Sequence, residues 1–476
     1  MSRPEWSRDA VLIAGRWQGT TEGRTVAVED PATEEVVGTA AEAGTAEVDD
    51  AVTAASDAWG AWAGAGVGDR VEALARWLTE LRDMRQLLVE TAIAEVGAPR
   101  RVAEEAHVDA ALAVLDGYLA AASSVMWEER VGNSLVLREP VGVAACITPW
   151  NYPLYQALAK VGGALVAGCT VVLKPAELTP LSAYLLADAA LAAGLPAGVL
   201  NLVPGTGRVV GEALAGHPGV DMVSFTGSTA VGARVSAVAA PTVKKVALEL
   251  GGKSASVVLP DADLASAVAS SVEAAMLNSG QTCSAWSRLL VPVERLPEAV
   301  RLAAAAAEDL AVGDPRSATT AIGPVISSAQ RATVLGFLDR AARAGAVIAA
   351  GGTARPPGLN RGHYVAPTVV TGAGPDAEIV REEVFGPVLT VQGYADESGA
   401  LAMANATAYG LSGAVWAATP ERAFAFARRM RTGQVDLNGA AFNPCAPFGG
   451  YGRSGVGREL GKWGIEEFLD TKSVQW

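Results

Sequence analysis

Hydrophobic and polar positions follow three different repeats along the chain. Short extended runs open it, VLIAGRW and RTVAVEDPAT, separated by glycine and proline. From residue 46 to about residue 126 apolar residues recur at three and four, in VDDAVTAASDAWGAW, RVEALARWLTELRDMRQLLVETAIAEVG and EEAHVDAALAVLDGYLAAA. That spacing predicts helices that bury one face. EERVGNSLVLREP then predicts a two-stranded ribbon turning at Gly132-Asn133. Its alternating apolar face has no partner nearby in sequence, so pairing with another copy of the chain is expected.

Across residues 141–250 the repeat changes again. The apolar runs VGVAACIT, TVVLK, GVLNLV, DMVSF and KKVALEL are divided by helical stretches. Strands alternating with helices predict βαβ units and a parallel sheet covered on both faces. A second α/β series starts at Ser254 with SASVVLP, continues through a helix over residues 261–277 and SRLLVPV, and runs to about Asn438. The two series meet at LELGGKSAS, where the Gly-Gly pair predicts a boundary with a cleft. The expected divisions are 1–121 with 141–250, then 251–452, with 122–140 and 453–476 as bridging segments.

Composition narrows the function classes. The 476 residues are 50% hydrophobic and 18% charged, with a net charge of −14. So acidic a surface repels phosphate backbones, and no nucleic acid partner is expected. The richest apolar stretch, residues 189–203, contains Pro196 and follows Asp188, short of the roughly 20 apolar residues that span a bilayer. His107, His217 and His363 stand far apart, without cysteines or carboxylates at ligand spacing, so neither a metal site nor a Ser-His-Asp hydrolase is expected. Four cysteines in a chain of this length make no disulfide framework, and MSRPEWSRDAVLIAG has no leader pattern, so a reducing cytoplasm is the expected compartment.

Five places carry candidate chemistry. NSGQTCSA sets Cys283 among small and polar residues, where a thiol can be reached and its thiolate stabilised. Cys146 and Cys169 lie in or beside apolar strands and read as core; Cys445, in the loop NPCAPF, is the one rival nucleophile. Glu249 closes an apolar strand beside two glycines. It is either a partly desolvated base that activates water or a strand-end carboxylate paired with Lys244, Lys245 or Lys253. Asn151, in TPWNYPL, is either an amide donor to a developing oxyanion or a turn residue before Pro153. FTGSTAVG is a strand, a Gly-Ser turn and a helix start; it can hold a phosphate or simply turn the chain. In LKPAELTP, Lys174 and Glu177 are either solvated or partners for ribose hydroxyls.

Together PWNYPL, KPAELTP, FTGSTAVG, LELGGKS, GQTC, EEVFGPV and PFGGYGRSG, in this order, resemble the NAD(P)-dependent aldehyde dehydrogenase superfamily, with a likeness from AGRW to the final DTKSVQW. Departures are small. Tyr152 replaces the commoner Phe, Gly452 stands where Lys is frequent, and Asp436-Leu437-Asn438 replaces a usual Val-Asn pair.

The resemblance implies an α/β fold with a Rossmann-type parallel-sheet cofactor domain, an α/β catalytic domain and a small oligomerisation ribbon. It implies that Cys283 attacks the aldehyde carbon, that the Asn151 amide and the Cys283 N–H hold the oxyanion, and that Glu249 activates the water that hydrolyses the thioester. Lys160 and Glu459 correspond to groups that move protons. Thr148, Trp150, Lys174, Glu177, Gly227, Ser228, Glu383 and Phe385 correspond to cofactor contacts, and Glu177 favours NAD over NADP because a carboxylate repels a 2′-phosphate. The aldehyde tunnel corresponds to Tyr152, Tyr155, Gln156, Ala159, Leu277, Thr282, Ser284, Ala440, Phe442 and Phe448. None is Arg or Lys, which implies an uncharged aliphatic or aromatic aldehyde. A homodimer or homotetramer is implied. The alternatives are a CoA-acylating semialdehyde dehydrogenase, whose relatives lack the Glu base, a catalytically idle member, and a cysteine esterase.

Overall fold

The computed structural model describes residues 6–476; the first five residues of the segment expected to open the cofactor domain, and of the stretch read for a leader, lie outside the described residues. All five apolar runs of residues 141–250 become strands of one sheet. In spatial order these are Lys245–Glu249, Met222–Thr226, Val143–Ile147, Thr170–Lys174 and Leu200–Leu202, each parallel to its neighbours. Near-continuous apolar strands suit such a sheet because helices cover both faces. Ala10–Ile13 and Arg16–Gly19 extend one edge antiparallel, and Gly455–Val456 pairs antiparallel with Lys245–Glu249 at the other, giving eight strands.

The parallel part of this sheet begins at its middle strand, Val143–Ile147, adds strands on one side, then crosses back to Met222–Thr226. That reversal opens a crevice beyond the carboxyl ends of the two neighbouring strands, the general ligand position in open α/β sheets.

Helix Pro153–Ala167 runs from that crevice into the core. Proline at its first position suits an N–H with no intrahelical acceptor. Gly168 ends it at φ 101°, a backbone conformation that glycine adopts freely. Apart from the half-buried Tyr155 the helix is buried, and it packs against helices Ala110–Ala121 and Val67–Asp83.

The second sheet has seven strands, in the order Val347–Ala350, Thr368–Thr371, Val388–Tyr394, Arg288–Pro292, Ala255–Val258, Gly413–Trp416 and Asp436–Leu437. All pairs are parallel except the first. The chain passes between the sheets over the residues from Glu249 to Ala255. There Ser454 Oγ donates to the Gly251 carbonyl (2.7 Å), and Leu250 N–H donates to the Ser454 carbonyl (2.9 Å).

Three local readings need correction. The long periodic stretch after residue 66 is two helices, Val67–Asp83 and Arg85–Val96, broken at Met84. The next starts as an α-helical turn, Arg100–Val102, and continues through a wider π-helical segment, Ala103–Asp109, which a 3.6-residue repeat does not reveal. The ribbon Glu128–Val131 with Ser134–Pro140 finds a partner within its own chain. Leu469–Gln475 pairs along the whole of Ser134–Pro140, making a three-stranded sheet with Leu469–Gln475 and Glu128–Val131 as its two edges. The partner comes from the far end of the sequence, beyond the reach of a local pattern.

Candidate active site

Two elements from different sheets converge on Cys283. Helix Leu264–Met276, capped by Asp263, leads into a turn where Asn278, Ser279 and Gly280 have φ of 53°, 58° and 72°. Three successive left-handed residues are rare outside sites where surroundings hold the strain. The turn delivers Gln281, Thr282 and the half-buried Cys283 to the Gly-Gly crossing. There a Cβ on Gly252 would lie 2.6 Å from the Cys283 carbonyl oxygen, so only glycine fits.

Asn151 is buried and locked into this turn. Its Nδ2 donates to the Gln281 carbonyl (2.9 Å), and its own carbonyl accepts from Asn278 Nδ2 (2.9 Å). Gln281 Nε2 donates to the Asn278 carbonyl (3.1 Å), and Gln281 Oε1 accepts from Ile326 N–H (2.8 Å). One Asn151 amide proton is used in this network and the second is left for a ligand. Asn151 thus lies in the bend before Pro153, with its side chain and its main chain each held to the turn that carries Asn278 and Gln281.

Glu249 is 5% exposed, and its Oε2 is buried without a hydrogen-bond partner. None of Lys244, Lys245 and Lys253 pairs with it. Lys244 Nζ donates to the His217 carbonyl, and Lys245 Nζ to the carbonyls of Glu467 and Leu469. Burial raises the Glu249 pKa well above the usual carboxylate range; Glu459 adds to the rise, while Lys160 and Arg458 oppose it. Lys160, fully buried in an apolar helix, meets Glu459 at 2.6 Å.

The expectation of a stabilised thiolate is not met. Burial, then the nearby Glu383 and Glu249 carboxylates, push the Cys283 thiol up to about 12, against a single helping hydrogen bond from the Ser284 backbone. Two more negative charges close by cannot stabilise a third, so the thiol needs a base at the moment of attack. Cys146 and Cys169 are buried core residues, and Cys445 is exposed.

The predicted cofactor residues gather at the carboxyl ends of the first sheet. Thr148 N–H donates to the Lys174 carbonyl (3.0 Å), Thr179 Oγ1 to the Trp150 carbonyl (3.2 Å), and Gly227 N–H to the Glu249 carbonyl (3.1 Å). Buried Lys174 lies 3.8 Å from the more exposed Glu177 carboxylate, and burial lowers its pKa to about 8. Ser228 caps helix Thr229–Ala239, its Oγ accepting from Val231 N–H (3.4 Å), and Thr226 Oγ1 beside it is buried without a partner. Glu383 Oε1 accepts from Gly252 N–H (3.1 Å), and burial pushes its pKa to about 7. A Cβ on Gly251 would fall 2.0 Å from Glu383 Oε2. Phe385, at φ 54°, meets Trp150 edge to face at 5.2 Å. A dinucleotide fits this set: a helix N-terminus for its phosphates, an ammonium–carboxylate pair for a ribose, and an aromatic corner.

The tunnel residues divide. Tyr152, Tyr155, Phe442 and Phe448 form a run of rings at 6.5, 6.5 and 6.2 Å, and the Tyr152 hydroxyl is 2.7 Å from Thr282 Oγ1. Leu277 and Ser284 are half-buried, and Ala440 is exposed. Gln156 is buried with Oε1 unpartnered. Ala159 is fully buried in the main apolar cluster, and its carbonyl accepts from the Tyr118 hydroxyl (2.6 Å). Four residues after Tyr155, it shares that residue's face of the helix, and Phe448 belongs to the same cluster.

Two participants escaped the sequence reading. Ser454 clamps the Gly-Gly crossing, and His107, buried in the π-helical segment, stacks on Tyr152 at 4.5 Å. Nothing near either residue in sequence suggests these contacts. Among the described residues no group of three or more His, Cys, Asp or Glu is arranged to hold a metal ion, and no helix is long and apolar enough to cross a membrane.

A family model described as the aldehyde dehydrogenase family matches residues 17–474. The chain is 46% identical to 3-succinoylsemialdehyde-pyridine dehydrogenase of a Pseudomonas species, over 97% of each chain. It is 39% identical to a putative aldehyde dehydrogenase of Staphylococcus saprophyticus, again over 97% of each. Among solved structures, a mutant of aldehyde dehydrogenase C from Pseudomonas syringae, in complex with NAD+ and octanal, superposes with a TM-score of 0.97 at 44% identity, covering 98% of this chain and 97% of that one. A Mycobacterium tuberculosis aldehyde dehydrogenase complexed with NAD+ has a TM-score of 0.97 at 40% identity, covering 99% and 98%.

Proposed function

We propose that this chain, which belongs to the aldehyde dehydrogenase family, oxidises an uncharged aliphatic or aromatic aldehyde to its carboxylic acid with NAD as acceptor. The observation that carries the reading is the meeting of Cys283, Asn151, held through its amide and its main-chain carbonyl, and Glu249, whose Oε2 has no partner, where the chain crosses between the sheets.

The Cys283 sulfur bonds to the aldehyde carbon as its proton passes to Glu249. The carbonyl oxygen becomes an oxyanion held by the free Asn151 amide proton and the Cys283 backbone N–H, an arrangement in which one donor is worth about 3–4 kcal/mol of the barrier. Thr148, Trp150, Lys174, Glu177, Gly227, Ser228, Glu383 and Phe385 hold the dinucleotide, which, when bound, supplies the acceptor for the hydride leaving that carbon. The remaining thioester is hydrolysed by water that gives its proton to Glu249, releasing the acid and restoring the thiol. The Lys160–Glu459 pair carries protons away from Glu249. On this reading residues 1–121 and 141–250 form the NAD-binding domain and 251–452 the catalytic domain. Residues 122–140 and 453–476 build the surface that joins subunits into a dimer or tetramer.

The aromatic run without Arg or Lys supports the substrate class. So do the octanal bound to a structural relative and the pyridine semialdehyde for which another relative is named. Octanal and benzaldehyde should give faster NADH release than succinic semialdehyde; a preference for the carboxylated substrate contradicts the substrate reading. Cys283→Ala should release no NADH, and Glu249→Gln should release at most one equivalent per site, slowly because the thiol has lost its base, and then stall. Wild-type turnover by the Gln variant would remove Glu249 from the mechanism.

A further inference from the structure

One buried imidazole beside Asn151 has no part in the chemistry above. His107 is 1% exposed and lies in the π-helical segment Ala103–Asp109, a winding that recurs at functional sites. Its Nε2 is 3.3 Å from Asn278 Oδ1. The Asn278 amide is oriented from its other side, since its Nδ2 donates to the Asn151 carbonyl. Oδ1 is therefore an acceptor, so Nε2 carries the ring proton. Nδ1 is the bare nitrogen, buried without a partner. Burial holds the ring neutral, with its pKa down to about 4.

The same ring lies against Tyr152, with centroids 4.5 Å apart at 31°. The Tyr152 hydroxyl reaches Thr282, the residue before Cys283, at 2.7 Å. One side chain thus touches both the residue that holds the Asn151 main chain and the wall beside the nucleophile. Asn278 has φ 53°, and so unusual a backbone persists only where its surroundings fix it.

We propose that His107 is a positioning residue for the oxyanion site: its Nε2–H fixes Asn278, Asn278 fixes Asn151, and the ring backs Tyr152. The inference rests on the reading of Cys283 and Asn151 given above. Without the donor the Asn278 amide is free to turn, and Asn151 loses the anchor on its main chain. Misplacing a catalytic group by about 1 Å costs on the order of 100-fold in rate.

The test uses His107→Phe, which keeps a ring against Tyr152 but has no donor, and His107→Gln, which restores one. With NAD+ and octanal, the amplitude of the NADH burst counts competent sites and its rate reports their chemistry. His107→Phe should slow the burst about 10- to 100-fold per competent site, leave the KM for octanal nearly unchanged, and be largely rescued by Gln. His107→Leu is a second donorless variant that must behave alike if the Phe variant does not fold. In an Asn151→Ala background the His107 substitution should add little, because the route it acts through is gone. A normal burst rate with only a smaller amplitude, no rescue by Gln, or additive losses in the Asn151→Ala background would each overturn the proposal. A wild-type protein giving no burst with any aldehyde would instead overturn the reading beneath it.

Discussion

Replacing Lys160 by methionine keeps the length of the side chain and removes its charge from the protein interior. The ammonium is 2.6 Å from Glu459 Oε1, and the two side chains are 0% and 9% exposed. At an effective dielectric of about 20, unit charges that close attract by about 6 kcal/mol. Desolvation of both ions offsets most of that gain, yet taking away one partner leaves the other buried and uncompensated, which costs about 3–5 kcal/mol. Lys160→Met should therefore be strongly destabilised. Lys160→Met combined with Glu459→Leu should recover most of the loss, since an apolar pair of similar volume carries no unpaid desolvation. Urea denaturation followed by tryptophan fluorescence, at one protein concentration because subunit assembly shifts apparent stability, gives the comparison. Equal midpoints for the single and double variants would refute the reasoning, as would a single variant as stable as the wild type.

The same lysine sets a pH dependence. Glu249 holds its proton well above the usual carboxylate range, through burial first and Glu459 next, with Lys160 pulling the other way. A protonated carboxyl is idle as a base, so the hydrolytic phase should accelerate as pH rises through that raised pKa. Lys160→Met, which removes a charge favouring the ionised form, should move the rising limb to higher pH in steady-state rates; a limb that stays or moves down contradicts the assignment. Gly449, at φ 151°, leaves room for the base, because a Cβ there would lie 2.6 Å from Glu249 Oε1 and 2.7 Å from the Gly457 carbonyl. Gly449→Ala should slow both the NADH burst and hydrolysis about tenfold or more, because Glu249 serves both steps, and wild-type rates in both phases would refute the assignment.

Much of this architecture is legible in the amino-acid order. Five apolar runs between residues 141 and 250 become five adjacent parallel strands, because strands buried on both faces need no polar alternation. Glu249 ends a strand and Asn151 and Cys283 follow the ends of regular elements, and those ends come together at the crossing between the sheets. What stayed hidden depends on contacts distant in sequence. Leu469–Gln475 completes the ribbon from the opposite end of the chain. His107 reads as one more position on an amphipathic helix, since the π-helical winding that turns it toward Asn278 leaves no mark in a 3.6-residue repeat. The chemical state of Cys283 was misjudged for a related reason. Small polar neighbours in sequence suggest access, but the thiol pKa is set by burial and by carboxylates from Glu383 and Glu249, which arrive from other segments.

The short pairing of Gly455–Val456 with Lys245–Glu249 bears on biosynthesis. Glu249 lies directly across from Gly455, so the strand that ends in the base remains an unpaired sheet edge until almost the whole chain has left the ribosome. Fragments that end before this pairing keep Cys283 and the dinucleotide-binding turns but lack the strand that seats the base. For most of translation the nascent protein thus presents an open β-edge of the kind that chaperones shield and that aggregation exploits.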